Sequence, residues 1–346
     1  MDVYYQNICI HPAYPESHPV ATIRLLFYNI IHLVEKRGSI MIELAAIATE
    51  QRNPRSKNID QVSTEEMVRI INREDHRAAS AVEAIIPDIA RAIDLISHHL
   101  HEGGRLFYAG SGTSGRLGVL DAAECPPTYS TDPDLVQGLI AGGESAMFRA
   151  REGAEDDENL GKKDLLDKGL TKKDVVVGLS ASGRTPYVIG ALTCARQCGA
   201  AAIAVDCSPR SPIGACADID LCAVTGPEVI TGSTRMKAGT AQKMILNMLS
   251  TVTMIRLGKV YGNLMVDVKA TNHKLEERAR RIVMEAAGCS RDEAIRALAQ
   301  SKGQAKPAIV MLLLHISYEE AQEKLQTADG FISKVLSAQS AAKGTI

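Results

Sequence analysis

The sequence has almost no excess charge of either sign: 39 Lys and Arg stand against 41 Asp and Glu, a net charge of −2 over 346 residues. Nothing in that balance draws the chain to nucleic acid or to an anionic lipid surface, so an anionic substrate must be bound locally. Tight Cys-x-x-Cys spacing is also missing. The eight cysteines, Cys9, Cys125, Cys194, Cys198, Cys207, Cys216, Cys222 and Cys289, are scattered through apolar stretches. That pattern excludes the usual zinc frameworks and reads as reduced, buried thiols of a cytoplasmic protein. No basic region followed by an apolar signal core opens the chain, and the longest apolar stretch near the start, 21–34, spans 14 residues with Arg24 inside it. This is too short to cross a bilayer. Tryptophan is absent and aromatics are 4%, yet five of the 13 Phe and Tyr residues fall within the first 40. The composition breaks at Met41, so 1–40 is expected to be an extension outside the functional fold, such as an upstream start codon would add.

What is present is ordinary globular composition, 45% apolar and 23% charged with 27 glycines. Disordered, collagen-like and coiled-coil proteins are thereby excluded. The length allows about two domains. A helix is expected from Ser63 or Thr64, with Glu65 or Glu66 in its first turn and Met67, Ile70 and Ile71 at helical spacing. A second, over about 78–101, carries a stripe from Val82 to Leu100 that Pro87 kinks or divides.

Five short, continuously apolar runs follow at 105–109, 135–140, 174–179, 200–206 and 219–224, with room for a crossover helix in most gaps. Continuous apolarity marks strands buried on both faces, which predicts an α/β fold: a doubly wound, five-stranded parallel sheet. Ligands of such sheets bind at the carboxyl ends of the strands. A long helix over 236–257, apolar nearly all round, and an all-helical region from Thr271 complete the chain. That region holds a basic amphipathic helix at 274–286, then segments starting near Ser290, Lys306, Tyr318 and Asp329, with the last ten residues frayed.

Gly110-Ser111-Gly112-Thr113-Ser114-Gly115 follows the first strand and reads as G-x-G-x-x-G. A dinucleotide site also needs an acid closing the second strand, which ends instead in Leu139-Ile140-Ala141-Gly142-Gly143. A better clue is that Thr113-Ser114-Gly115-Arg116 after the first strand is echoed by Ala181-Ser182-Gly183-Arg184 after the third. Serine- and glycine-rich turns entering helices offer amides and hydroxyls to an anion, and Ser180, Ser182 and Thr185 are placed to cradle a phosphate monoester. One such loop alone reads better as a helix cap; two on one sheet favour phosphate. Thr231-Gly232-Ser233-Thr234-Arg235 is equally a cap or, with Lys237, a pocket wall. His98, His99 and His101 read as a hydrated helix end, and Arg116 and Arg184 as cations whose partners the sequence leaves open.

These loops resemble the sugar isomerase (SIS) domain. The blocks at 49–54, 121–128, 152–156, 180–187, 231–240 and 263–267 are similar to the N-acetylmuramic acid 6-phosphate etherase family over roughly 41–338. The resemblance implies 41–95 as an N-terminal segment with helices, 96–260 as a SIS sugar-phosphate domain, and 270–338 as a small helical module like a ubiquitin-associated (UBA) unit. It implies cleavage of the D-lactyl ether of N-acetylmuramic acid 6-phosphate by a cytoplasmic, homodimeric lyase of peptidoglycan sugar recycling. Lactate is eliminated and water added, with no metal or other cofactor and no nucleic acid or membrane as partner.

Carried over, Glu124 is the proton donor and Glu155 takes the proton at carbon 2, while Ser111, Thr113, Ser114, Ser180, Ser182 and Thr185 bind substrate. By sequence alone Glu124 reads as a helix-end charge and Glu155 as part of an acidic exposed face; sheet geometry points first to Glu144. A helix over about 115–124 also sets Glu124 roughly 13 to 15 Å from the phosphate turn. Either that helix ends near Gly118 or Glu124 serves the neighbouring subunit, and the second is the expectation. An aldose–ketose isomerase and a non-catalytic sugar-phosphate sensor are the alternatives on this fold.

Overall fold

The computed structural model describes residues 48–268 and 273–343. The expected extension 1–40 and the composition break at Met41 lie outside the described residues.

Ser63 caps the first helix by accepting from the amide of Glu66 at 3.3 Å, and α1 runs Thr64–Glu83. The second helix, α2, covers Ile86–His101: the expected 78–101 stretch is divided rather than kinked, its first residues belonging to α1, because Pro87 stands in the first turn of α2. A first turn has no use for the amide that proline lacks, so proline starts this helix. The sheet and its crossovers then alternate: β1 Leu106–Gly110, α3 Gly112–Tyr129, β2 Val136–Ile140, α4 Glu158–Asp167, β3 Val175–Leu179, α5 Pro186–Gln197, β4 Ala201–Asp206, a one-turn α6 Pro212–Ala215, and β5 Ile219–Cys222. All five strands are parallel in the order β2-β1-β3-β4-β5, the doubly wound sheet that the apolar runs predict.

Successive side chains of a strand point to opposite faces. Leu106 and Tyr108 accordingly enter a core shared with α1, α2, α3 and the long helix α7 Lys237–Arg256, whereas Phe107 and Ala109 enter one beneath α4 and α5. A small hairpin, β6 Val260–Tyr261 and β7 Leu264–Met265, leads to a third core. That core is built by α8 His273–Ala287, α9 Arg291–Gln300, α10 Ala305–Leu314, α11 Tyr318–Thr327 and α12 Ile332–Lys343. Instead of fraying over the last ten residues, α12 continues to Lys343. Among the described residues, no helix is long and apolar enough to cross a membrane.

Candidate functional site at the carboxyl edge of the sheet

β1 and β3 are hydrogen-bonded neighbours with Gly110 opposite Leu179, so the turns that follow them leave the sheet side by side. This is also where strand order reverses, the crevice that open parallel sheets use for ligands. Gly115 explains the glycine fingerprint without a nucleotide: a Cβ there would come within 2.6 Å of the Gly110 carbonyl oxygen, so α3 can pack onto β1 only through glycine.

The turn after β3 gathers its hydroxyls. Ser180 Oγ lies 2.8 Å from Thr185 Oγ1 and 3.4 Å from Ser182 Oγ, and the Gly183 amide donates to Ser180 Oγ at 3.1 Å. Gly183 adopts φ +70°, and a Cβ there would meet Ser211 Cβ at 2.2 Å, so only glycine fits against the wall behind. That wall is Ser211, whose hydroxyl donates to the buried Asp206 carboxyl at the end of β4. Burial raises the pKa of Asp206.

The turn after β1 divides its hydroxyls. Ser114 is buried and donates to Gln242 Oε1 on α7 at 2.8 Å, whereas Ser111 donates to Glu155 Oε2 at 3.1 Å. Thr113 sits beside the start of α7, its methyl 3.6 Å from where a Cβ of Gly239 would stand. Of the six expected ligands, Ser180, Ser182 and Thr185 therefore form one cluster, Ser111 faces an acid, and Ser114 is turned into the core.

Glu155 occupies an exposed 3-10 turn, Ala154–Asp156. With Ser111, Gly112, Arg116, Ala146 and Arg151 it borders a cavity of about 150 Å³. Arg116 donates to the carbonyls of Met147 (2.9 Å) and Ala146 (2.8 Å), so it is occupied in holding the segment after β2 against α3. Glu144 is exposed at the start of that segment.

Glu124 is set apart. α3 continues unbroken through Pro126 and Pro127 to Tyr129, closed by the Ser130 amide donating to the Pro126 carbonyl at 3.0 Å, so it does not end near Gly118. Twelve residues of helix, about 18 Å, separate Glu124 from Gly112. Glu124 is exposed, and Leu120, one turn earlier, is an exposed large apolar side chain.

One reading of the third cluster needs correction. Lys237 is not a pocket wall: it is fully buried, and its ammonium donates to Glu74 Oε2 at 2.6 Å and to the Pro227 carbonyl at 2.8 Å. The cluster does help to cap α7, through its backbone: the Thr234 carbonyl accepts from the Gly239 amide at 2.9 Å. Glu228 supplies the rest of the cap, accepting from the amides of Lys237 (3.1 Å) and Ala238 (2.9 Å).

Glu74 also accepts from Asn53 and Arg55, and its carboxyl is held down at about 2, first by Arg55 and then by Lys237 and Asn53 against the cost of burial. This network fastens 53–56 across α1 and α7, with Ser56 donating to the Val229 carbonyl at 2.7 Å. It also brings Glu50 to Gly232, where a Cβ would lie 3.2 Å from Glu50 Oε2. Sequence reasoning overlooked Glu74 and Glu228 and named Glu50 only within the 49–54 block, without a role; for Glu74 the available signal was an acid on the apolar face of α1, beside Ile70 and Ala78. His99 Nδ1 lies 2.8 Å from the Lys173 carbonyl oxygen at the exposed end of α2, and among the described residues no three His, Cys, Asp or Glu side chains are grouped to hold a metal.

The family model described as the SIS domain matches residues 162–252, and the glucokinase regulatory protein N-terminal SIS domain matches 88–196. An N-acetylmuramic acid 6-phosphate etherase of Aliivibrio fischeri (strain MJ11) is 56% identical over 298 residues, covering 86% of this chain and 99% of its own. The chain belongs to the N-acetylmuramic acid 6-phosphate etherase family. Etherases of Aeromonas hydrophila (57% identical; 85% of this chain and 98% of its own) and Clostridium beijerinckii (55%; 85% and 97%) match to the same extent. Both serine-rich turns and the Glu155 segment fall within the 88–196 SIS match.

Proposed function

We propose that the protein cleaves the D-lactyl ether of N-acetylmuramic acid 6-phosphate to N-acetylglucosamine 6-phosphate and D-lactate, as a carbon–oxygen lyase of amino sugar recycling. An ether resists cleavage because alkoxide is a poor leaving group. Opening the sugar ring puts an aldehyde next to carbon 2, whose proton can then be removed while the oxygen on carbon 3 is protonated and departs. Water added at carbon 3 completes the exchange. Each proton transfer by a positioned carboxyl group contributes about 10²- to 10⁴-fold.

The observation that carries the assignment is the Ser111–Glu155 hydrogen bond. It sets a carboxylate beside the turn after β1, the strand adjacent to β3, whose own turn carries Ser180, Ser182 and Thr185. Those hydroxyls anchor the phosphate, Glu155 takes the proton from carbon 2, and remote binding energy aligns the sugar between them.

Glu124 is the proton donor to the lactyl oxygen, acting in the site of a second copy of the chain. Three features favour this homodimer: the 18 Å or so of helix between Glu124 and its own turn, the apolar Leu120 beside it, and a cavity beside Ser111 and Glu155 of about 150 Å³ in one chain, below the roughly 300 Å³ of small ligand sites. We place the reaction in the cytoplasm, where its reduced cysteines are stable. The test is turnover in heavy-oxygen water. Elimination followed by hydration puts the label on the carbon 3 hydroxyl of the sugar, whereas label in lactate would mean displacement at the lactyl carbon and overturn the mechanism.

A further inference from the structure

A second cavity lies away from the serine-rich turns. α3 leaves the carboxyl edge of the sheet and ends at the opposite edge, where its cap Ser130 meets the hairpin and the C-terminal helices. There a space of about 790 Å³ opens between the two, within the size range of small-ligand sites.

Its charges do not balance. Lys259 and Lys306 both contact the same oxygen of Asp267, at 3.1 and 2.8 Å, and Lys302 also lines the space, its ammonium 5.3 Å from the Tyr318 ring. Two ammonium groups thus share one carboxylate oxygen, and a third, exposed one from Lys302 stands at the rim of the same space. The side chains of Lys306 and Asp267 are 11% and 18% exposed, so water screens the surplus poorly. Burial lowers the pKa of Lys306, against the pull of Asp267. The carboxyl end of α3 and the amino end of α10 both border the cavity, and their opposite partial charges offset one another. Gln304 and Gln322 spend an amide N–H on the Tyr318 hydroxyl, at 3.3 and 2.7 Å, and retain amide oxygens that accept hydroxyl donors.

We propose that this cavity is a second binding site, for a small hydroxylated anion such as a sugar phosphate or a hydroxycarboxylate. The anion pairs with the Lys259 and Lys306 ammonium groups left over by Asp267, and its hydroxyls meet the glutamine amides. The site is separate from the turns after β1 and β3, so its occupancy and theirs can be measured independently.

Equilibrium dialysis of the full chain against labelled inorganic phosphate tests the assignment. The expected result is two phosphates per chain, one weakened roughly tenfold or more by Lys259→Gln or Lys306→Gln, the other by Ser182→Ala. Binding that neither lysine variant changes would overturn the site. Should Lys306→Gln fail to fold, Lys259→Gln decides alone, because Asp267 keeps Lys306. Binding that Ser182→Ala leaves intact while Lys259→Gln weakens it would count against the phosphate role of the turn and support the second site. Displacement of the lysine-dependent phosphate by N-acetylglucosamine 6-phosphate, or by D-lactate, identifies a phosphate ester or a hydroxycarboxylate. Displacement by neither would overturn the hydroxylated class.

Discussion

The turns after β1 and β3 share a Ser-Gly-Arg core in sequence and use it differently in space. After β3, three hydroxyls point at one another over a glycine that nothing larger can replace. After β1, one serine is spent on Gln242 and another on Glu155. The turn after β3 gathers hydroxyls in the arrangement proposed to receive an anion, and the turn after β1 ties the sheet to α7 on one side and to an acid on the other. A repeated motif therefore marks where a site is without fixing what each copy does there; that is decided by the packing behind it.

The sharpest way to break this comparison is at the acid. Glu155→Gln is expected to lower kcat by about 10²- to 10⁴-fold and to leave KM within a few-fold, whereas a variant that raised KM alone would make Glu155 a binding group. Steady-state kinetics with the sugar phosphate distinguishes them.

Acid titration separates the two turns by sign. Glu74, which fastens α7 behind the β1 turn, is held near 2 against an ordinary 4.5. Its stabilisation is complete above about pH 4.5 and is lost as pH falls toward 2, an effect on the order of 3 kcal/mol. Asp206, behind the β3 turn, is shifted upward by burial. Its ionised form is the penalised one, so stability falls as pH rises from its ordinary value through its raised one. Urea midpoints against pH should flatten at the acid end in Glu74→Gln, and Asp206→Asn should remove the opposite slope.

Glycine replacements come next. Gly183→Ala meets both a positive φ and Ser211, and should cost about 3 kcal/mol and raise KM strongly; Gly112→Ala, at φ +51° with nothing within 4 Å, should cost about 1 kcal/mol. Similar losses at the two positions, read by thermal unfolding, would erase the distinction. The smallest effect is expected at the serines. Ser180→Ala should weaken phosphate binding by about 1 kcal/mol, and Ser114→Ala should cost about as much stability through the orphaned Gln242 while sparing KM.

Much of this architecture was legible in advance. Strands buried on both faces announce themselves as unbroken apolar runs, and Ser63 and Ser290 signal helix starts through their own side chains. Local rules placed a helix division at Pro87 but misjudged the end of α3, which Pro126 and Pro127 fail to stop one turn earlier. The site was legible as a location because both serine-rich turns follow strands. Its wiring was not, since Glu74 meets Lys237 across 163 residues and Ser114 meets Gln242 across 128. Such pairings depend on how α1 and α7 stack, which no local spacing encodes.

Glu155 is expected to remove a proton from carbon 2 of a sugar whose phosphate the β3 turn holds. The direct measurement is hydrogen–deuterium exchange at carbon 2 of N-acetylglucosamine 6-phosphate in heavy water. Exchange is expected with the native protein, is abolished in Glu155→Gln with phosphate binding intact, and needs higher substrate in Ser182→Ala. Undiminished exchange in Glu155→Gln would contradict that role.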